Sequence, residues 1–533
     1  MNTGTVIAYF VSHDEAREAL RKIRKKGFRR AAWVSKGADG GIRVRDPFPW
    51  RRILGTGMAF ILFACLGAAI SLGLQWWGPL PVSFPSALVP TVASGFIGIL
   101  LSLAWIRRSR FGIERSLVLE QTRLLLSGES VLILKGPTES LRILVTLLLE
   151  SSEIPPAVFV LHPRREVPVE GSWSPGALLT PAQLEEQARR LALEDRVDPK
   201  PPQDTELLQR LERSRRWIQL AYLDLSEACR LEQSMPPTAE WLLDNEYILE
   251  SNASDVRLNL PRHYYRQLPA LASGPNQGLP RIYGLAQELA AHSDLRLDEE
   301  NILAFIEAYQ SVGPLSIGEL WAVPQMLRAV LIEGIRHLAD RALTELHEGE
   351  IADLWASRLI SANLHDPNQL YSVLADLTET HPSPSPYFAS QLIDYLYDET
   401  AALAPVQSWL ERVLRRSPGD LSLREKNRQT KDQISIGNAF TSLRQLALLD
   451  WKECFERLSR VEGLLRQDPA GIYPRMDFAT RDQYRRAVED LHRGCGLPED
   501  QVAQRALDLA AEPGPGSPVD ERSSHVGTYL IGE

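Results

Sequence analysis

Two long uncharged stretches near the start of the chain limit its possible folds more than any other feature. Residues 53–74 and 88–106 contain no charged side chain. As a helix, either stretch is long enough to cross a hydrocarbon core of about 30 Å. Tryptophans and arginines flank both, as is typical of membrane interfaces: Trp50, Arg51, Arg52, Trp76, Trp77, Trp105, Arg107 and Arg108. The sequence therefore predicts a two-helix transmembrane hairpin in a lipid bilayer with both flanks in the cytoplasm. A buried hairpin of a soluble domain is the alternative.

The charge of the chain is unevenly distributed along its length. Residues 1–160 carry 20 lysines and arginines against 11 aspartates and glutamates, whereas the whole chain has 59 against 68. A basic segment beside the predicted hairpin suits an anionic membrane surface, so we expect no nucleic-acid partner. The four cysteines are far apart and show neither a CxxC motif nor metal-ligand spacing. The sequence therefore predicts no metal site and no disulfide framework.

Local patterns predict an α+β membrane protein with a small α/β unit and a large helical domain. Strand–helix–strand patterns precede and follow the hairpin, so residues 1–162 are expected to form one ferredoxin-like unit, interrupted by the spans at about 53–74 and 88–106. Residues 163–204 are expected to be a linker with a short helix. Residues 205–511 should form an all-helical cytoplasmic domain without strands, and residues 512–533 a flexible tail.

The helical domain opens with an amphipathic pattern and contains recognisable helix starts. Apolar residues recur at helical spacing between Leu207 and Leu225. Four arginines are expected on the solvated side of this helix: Arg210, Arg213, Arg215 and Arg216. Ser316 and Glu319 have the spacing of a capping box, in which each side chain binds the backbone N–H of the other residue.

Five longer motifs give the chain a recognisable identity. They are AEWLLDN (239–245), LPRHYYRQLP (260–269), GLPRIYGLAQELAAHSD (278–294), PLSIGELWAVPQMLR (314–328) and DPAGIYPRMDFATRDQYRRAVE (468–489). In these motifs the sequence resembles the region that precedes the glycosyltransferase domain in bacterial cyclic β-1,2-glucan synthases. The resemblance extends over residues 205–533.

The resemblance implies that the chain acts beside a glycosyltransferase and is not a glycosyltransferase itself. The family's transferase domain uses UDP-glucose and a divalent metal, and it needs a DxD pair and a QxxRW motif. Neither motif occurs in this sequence, since Arg216-Trp217 lacks the required spacing. We therefore expect an N-terminal module without cofactor or complete catalytic site, either a truncated gene product or an independent protein. It would scaffold a glycosyltransferase domain or subunit, or its β-1,2-glucan, at the bacterial inner membrane, with both termini cytoplasmic.

Two functions from other classes stay open. One is a stand-alone membrane sensor or adaptor, with the small α/β unit as its input part. The other is a helical glycan-active enzyme, which would need a pair of carboxylates for acid and base catalysis. The carboxylates available for such a pair are Glu240, Asp244, Glu246, Glu299 and Glu300.

Residues that contact a glycan or a protein partner are predicted within the motifs, where aromatic side chains could stack on sugar rings. The candidates are Trp241, Arg262, Tyr264, Tyr265, Glu319, Trp321, Arg475, Asp477 and Arg481. For the aromatic residues, the alternative is a place in the hydrophobic core. For the last three residues, the alternative is a capped helix start with a structural ion pair.

Overall fold

The computed structural model of the chain contains two compact units. It describes residues 3–28, 31–36, 42–45, 129–137, 140–151, 156–162, 174–198, 205–365, 367–511 and 524–532, and the single residues 118, 121 and 125. The first unit falls within residues 1–165, 226–235 and 343–426. The second falls within residues 166–225, 236–342 and 427–533. The domain limits expected from the sequence stay a prediction.

Short strands and many helices follow one another along the chain. In order, they are β1 (Thr3–Phe10), α1 (His13–Lys25), β2 (Ala31–Lys36), β3 (Ile42–Arg45), β4 (Ser130–Pro137), α2 (Leu141–Leu149), β5 (Ala157–Leu161), α3 (Pro181–Glu194), β6 (Val197–Asp198), α4 (Glu206–Arg230), α5 (Pro237–Asn259), α6 (Arg262–Tyr265), β7 (Ala270–Leu271), α7 (Arg281–His292), α8 (Glu299–Gln310), α9 (Ile317–His365), α10 (Pro367–Thr380), α11 (Pro386–Tyr395), α12 (Thr400–Leu414), α13 (Pro418–Leu448), α14 (Trp451–Leu458), α15 (Arg460–Leu465), a 3-10 turn (Tyr473–Arg475), α16 (Phe478–Cys495), α17 (Glu499–Ala511) and α18 (Gly527–Leu530).

The first unit contains an antiparallel sheet with the strand order β3-β2-β4-β1-β5. Ile7 of β1 lies opposite Ile133 of β4 and Phe159 of β5. Because α1 connects β1 to β2 and α2 connects β4 to β5, the unit has the βαβ–βαβ connectivity of a ferredoxin-like fold. The strand–helix–strand patterns expected within residues 1–162 are confirmed.

Alternation along the strands sends apolar side chains to both faces of this sheet. On one face, Val6 packs in a core with Ile23 of α1 and Leu144 of α2. On the other face, Ile7 packs in a core with Leu354 of α9. Both faces are therefore covered within the first unit. A third core lies among α9, α10, α11 and α12 of the same unit, with the fully buried Trp355 as its largest side chain.

The predicted fold class, an α+β membrane protein with a transmembrane hairpin, is wrong. No helix in the described ranges is both long and apolar enough to cross a membrane. The longest helix, α9, has the length, but charged residues such as Glu319, Arg328 and Glu333 recur along it, and each would be costly inside a bilayer. The structure is instead mostly helical with a small sheet.

The stretches that carried the hairpin prediction are not part of the described structure. The spans expected at 53–74 and 88–106 lie outside the described residues. The same holds for all of the flanking tryptophans and arginines: Trp50, Arg51, Arg52, Trp76, Trp77, Trp105, Arg107 and Arg108. The predicted location in the cell stays a prediction.

The second unit consists almost entirely of helices, but the expectation of no strand after residue 205 is wrong. Ala270 and Leu271 form β7, which pairs antiparallel with Asp198 and Val197 of β6. Two residues are too few for the alternating pattern by which a strand is recognised in a sequence.

A buried glutamate joins the sheet of the first unit to its helical part. Glu350 of α9 accepts a hydrogen bond from the backbone N–H of His162 at 2.8 Å, and its other oxygen contacts the His162 ring. Gln233 donates to the same carboxylate at 3.2 Å. Glu350 is 8% exposed and His162 is 3% exposed, so water cannot replace these partners.

Replacing this glutamate tests how strongly the sheet depends on it. We expect Glu350→Ala to lower the free energy of unfolding by about 3 kcal/mol, because buried hydrogen-bond donors lose their acceptor. Urea unfolding followed by circular dichroism measures the change. Glu411→Ala, at an exposed position of α12, is the control and should change it by less than about 0.5 kcal/mol. Equal effects of the two substitutions would contradict the assigned role of Glu350.

Candidate functional site

The first turn of α9 is built by a capping box. Ser316 Oγ accepts a hydrogen bond from the Glu319 backbone N–H at 3.2 Å. In return, Glu319 Oε2 accepts from the Ser316 backbone N–H at 3.0 Å. This arrangement satisfies two polar groups that a helix start would otherwise leave without partners. The capping box expected from the sequence is therefore confirmed.

Glu319 also forms a buried ion pair that attaches α7 to this turn. Arg281 donates from Nε to Glu319 Oε1 at 2.8 Å and from Nη2 to Oε2 at 2.6 Å. The Glu319 side chain is completely buried. Burial disfavours the charged form of Arg281, but the hydrogen bond to Glu319 outweighs it and raises the arginine pKa. Glu319, a predicted contact residue, is thus fully occupied by partners inside the second unit.

Three predicted aromatic residues lie at or near the same turn. Tyr264 donates its hydroxyl hydrogen to the Gly318 carbonyl at 2.6 Å, and burial raises the pKa of this phenol. Trp321 stacks on Phe455 at 4.5 Å between ring centroids. Tyr265, the neighbour of Tyr264, is completely buried in the core. The structure thus places Tyr264, Glu319 and Trp321 in one neighbourhood.

Two carboxylates that the sequence did not single out complete this neighbourhood. Glu499, the first residue of α17, accepts a hydrogen bond from the Ile317 backbone N–H at 2.7 Å. Burial, together with Glu489 and Glu319, raises the pKa of Glu499 to about 7, although Ile317 and His492 oppose the shift. Burial also raises the pKa of Glu489 in α16.

Glu489 and Tyr264 approach the same glycine. A Cβ atom added to Gly318 would lie 3.9 Å from Tyr264 Cε2 and 4.0 Å from Glu489 Oε1. We define the carboxylate cluster as Glu319, Glu489 and Glu499 with Tyr264. Half-buried acids with raised pKa values are the groups that could donate a proton near neutral pH. The start of α9 is therefore close to two carboxylic acids with raised pKa values.

The other predicted contact residues have varied surroundings. Trp241 is half-buried, and a Cβ on Gly437 would lie 3.1 Å from its ring. Asp477 caps α16 by accepting from the Thr480 N–H at 2.8 Å. Arg475 is exposed and forms no ion pair with the described part of the chain. Arg262 is also exposed and lines a separate cavity.

Arg481 belongs to a buried charge network. Its Nη2 donates to Glu456 at 2.6 Å, and its Nε lies 3.6 Å from Glu462. Glu462 accepts from Arg485 at 2.8 Å and from the Tyr473 hydroxyl at 2.7 Å. Burial would raise the pKa of Glu462, but the hydrogen bonds from Tyr473, Arg466 and Arg485 together lower it.

The carboxylates considered from the sequence alone do not lie in a buried pair. Glu240, Asp244, Glu299 and Glu300 are exposed, and Glu246 is half-buried. The described ranges contain no group of three or more histidine, cysteine, aspartate or glutamate side chains that could hold a metal ion.

The raised pKa of Glu499 makes a testable prediction about stability. Its folded-state value of about 7 lies above the ordinary 4.5, so its contribution to stability is present below about pH 4.5 and is lost as the pH rises through 7. Glu499→Gln keeps an acceptor for Ile317 but cannot ionise. Relative to the unchanged protein, this variant should gain about 1–2 kcal/mol between pH 5 and pH 8, after discounting for partial exposure.

Thermal unfolding of both proteins at several pH values measures this difference. Glu300→Gln, in the exposed first turn of α8, is the matched control and should show no such trend. A Glu499→Gln difference that stays constant from pH 5 to pH 8 would rule out the electrostatic account.

Comparison with known proteins identifies a relative of this chain. The chain is 33% identical over 305 residues to the cyclic β-(1,2)-glucan synthase NdvB of Rhizobium meliloti (strain 1021). The match covers 56% of this chain but 10% of the synthase, so the chain spans a small part of its relative's length. No established family profile matches the chain. The resemblance to cyclic β-1,2-glucan synthases that the motifs predicted is nevertheless confirmed over these 305 residues.

Proposed function

We propose that this chain acts in cyclic β-1,2-glucan synthesis as a module without a complete transferase site. It would contact a glycosyltransferase domain or subunit, or the glucan that the transferase makes. The observation that carries the proposal is the 33% identity over 305 residues to a cyclic β-(1,2)-glucan synthase. The sequence shown has neither DxD nor QxxRW, so UDP-glucose and a divalent metal would serve the transferase and not this chain.

The surroundings of the predicted contact residues support a scaffolding role. The polar groups of Glu319, Arg481 and Tyr264 form hydrogen bonds with partners inside the second unit. Such residues hold helices together and have little capacity left for a substrate. Arg475, in contrast, is exposed and lies just before α16. The Arg475 guanidinium offers five N–H donors, which suits contact with sugar hydroxyls.

Glucan binding by the purified chain tests the proposal. We expect cyclic β-1,2-glucan to bind in isothermal titration calorimetry, and Arg475→Ala to weaken binding about fivefold because a hydrogen-bond donor is lost. Arg505→Ala, at an exposed arginine of α17, should leave it unchanged. A parallel incubation with UDP-[14C]glucose and Mg²⁺ should yield no labelled glucan.

Two results would overturn the proposal. One is the synthesis of labelled glucan by this chain alone, which would make it a transferase. The other is a failure to bind both the glucan and the purified Rhizobium meliloti synthase, the latter measured by size-exclusion chromatography of the mixture. Binding to the synthase without binding to glucan would support the protein-contact form of the proposal.

A second candidate function, a helical glycan-active enzyme, is favoured by one observation. The pKa of Glu499 is raised to about 7, as a general acid working at neutral pH requires. On this hypothesis, the chain releases reducing ends from β-1,2-glucan between pH 5 and pH 8, and Glu499→Gln abolishes the release. Glu300→Gln is the control. If no reducing ends appear within a day at high protein concentration, this candidate is excluded.

A further inference from the structure

A cavity of about 770 Å³ lies between the first half of α4, the last half of α5 and the turn before α6, all within the second unit. Arginines dominate its charged lining: five arginines face two glutamates, an excess of three positive charges. These residues are Arg213, Arg215, Arg216, Arg257 and Arg262, with Glu212 and Glu250. The volume is that of a small-molecule site.

Both glutamates accept hydrogen bonds from Arg215. Arg215 donates from Nη2 to Glu212 Oε1 at 2.9 Å and from Nη1 to both oxygens of Glu250 at 3.1 Å. The hydrogen bond from Arg215 is the main reason that the pKa of Glu212 falls to about 2. Arg216 also donates to Glu212, at 2.8 Å. These carboxylates therefore neutralise Arg215 and part of Arg216.

Two other arginines of the lining, Arg257 of α5 and Arg262 of α6, form no ion pair with the described residues. Ser254, one turn before Arg257, adds a hydroxyl to the lining. Thr205, Leu208 and Gln209, at the start of α4, line the cavity as well, and the positive end of a helix dipole favours anions there. Several independent features thus favour negative charge in one place.

We propose that this cavity binds a small organic phosphate, a phosphate monoester or diphosphate. Arginine forks match the oxygens of a phosphate group in pairs. A phosphate monoester carries about −1.5 to −2 charges at neutral pH, which matches the two guanidinium groups of Arg257 and Arg262 better than a single carboxylate does. A neutral glucan would leave these guanidinium groups without an anionic partner, so this site is separate from the proposed glucan contact.

Titration with simple phosphates tests this site. Inorganic pyrophosphate and glycerol 3-phosphate, each titrated into the full chain at constant ionic strength, should bind with a dissociation constant below about 1 mM. Arg257→Gln and Arg262→Gln should each weaken binding about tenfold, because each removes a charge-assisted hydrogen bond. Raising the NaCl concentration from 50 to 300 mM should weaken binding further.

The controls separate this site from general attraction of anions to the protein. Arg505→Gln, at an exposed arginine of α17, should bind both probes like the unchanged chain, and all variants should keep the same melting temperature without ligand. The proposal is overturned if neither probe binds, if Arg505→Gln weakens binding as much as Arg257→Gln does, or if malonate or a pentaglutamate peptide binds more tightly than pyrophosphate. Loss of glucan binding with intact pyrophosphate binding would affect only the proposed function.

Discussion

The candidate site depends on the hydrogen bonds that the buried Glu319 carboxylate accepts. This carboxylate caps the first turn of α9 and, at the same time, forms two hydrogen bonds with Arg281 of α7. A buried carboxylate without a partner would cost several kcal/mol, whereas a well-aligned pair offsets most of that cost. Two other hydrogen bonds meet the same turn, from Tyr264 to Gly318 and from Ile317 to Glu499. Fixing Glu319 therefore fixes where these neighbours meet.

The second unit repeats this kind of contact elsewhere. Glu333 of α9 accepts from Arg210 of α4 at 2.6 Å and from the Tyr283 hydroxyl at 2.6 Å. Glu462 is bound in the same way by Arg485 and Tyr473. Apolar helix faces can slide past each other at little cost, but a buried arginine–glutamate–tyrosine group has one satisfactory arrangement. We interpret these groups as the features that fix which helix faces pack together.

Sequence reasoning identified the features that depend on nearby residues. The capping box of Ser316 and Glu319 needs a spacing of three, and the strands of the first unit need only alternation, so both were predictable. Arg210 shows the limit of such patterns. It was expected on the solvated side of its helix, but it is buried against Glu333. Its distant partner lies in another helix, and no periodicity within α4 reveals it.

The same limit explains why part of the candidate site was missed. Glu489 and Glu499 lie on different helices and acquire their raised pKa values only by packing near the start of α9. Exposed glutamates such as Glu299 and Glu300 have the same side chain and also lie in helices. Burial distinguishes the two groups, and burial depends on the tertiary arrangement of α9, α16 and α17.

Glu462 and Glu499 show how two carboxylates shielded from water can differ physically. Both are removed from water, which alone would raise both pKa values. Glu462 has two arginines and a tyrosine as donors, and its pKa falls. Glu499 has a backbone N–H as its hydrogen-bond donor and forms no ion pair with the described residues, so burial prevails and its pKa rises. A carboxylate whose charge is compensated by cations stabilises the fold. A carboxylic acid whose pKa lies near neutral pH can exchange a proton. That difference makes the start of α9, rather than the network around Glu462, the candidate for chemistry.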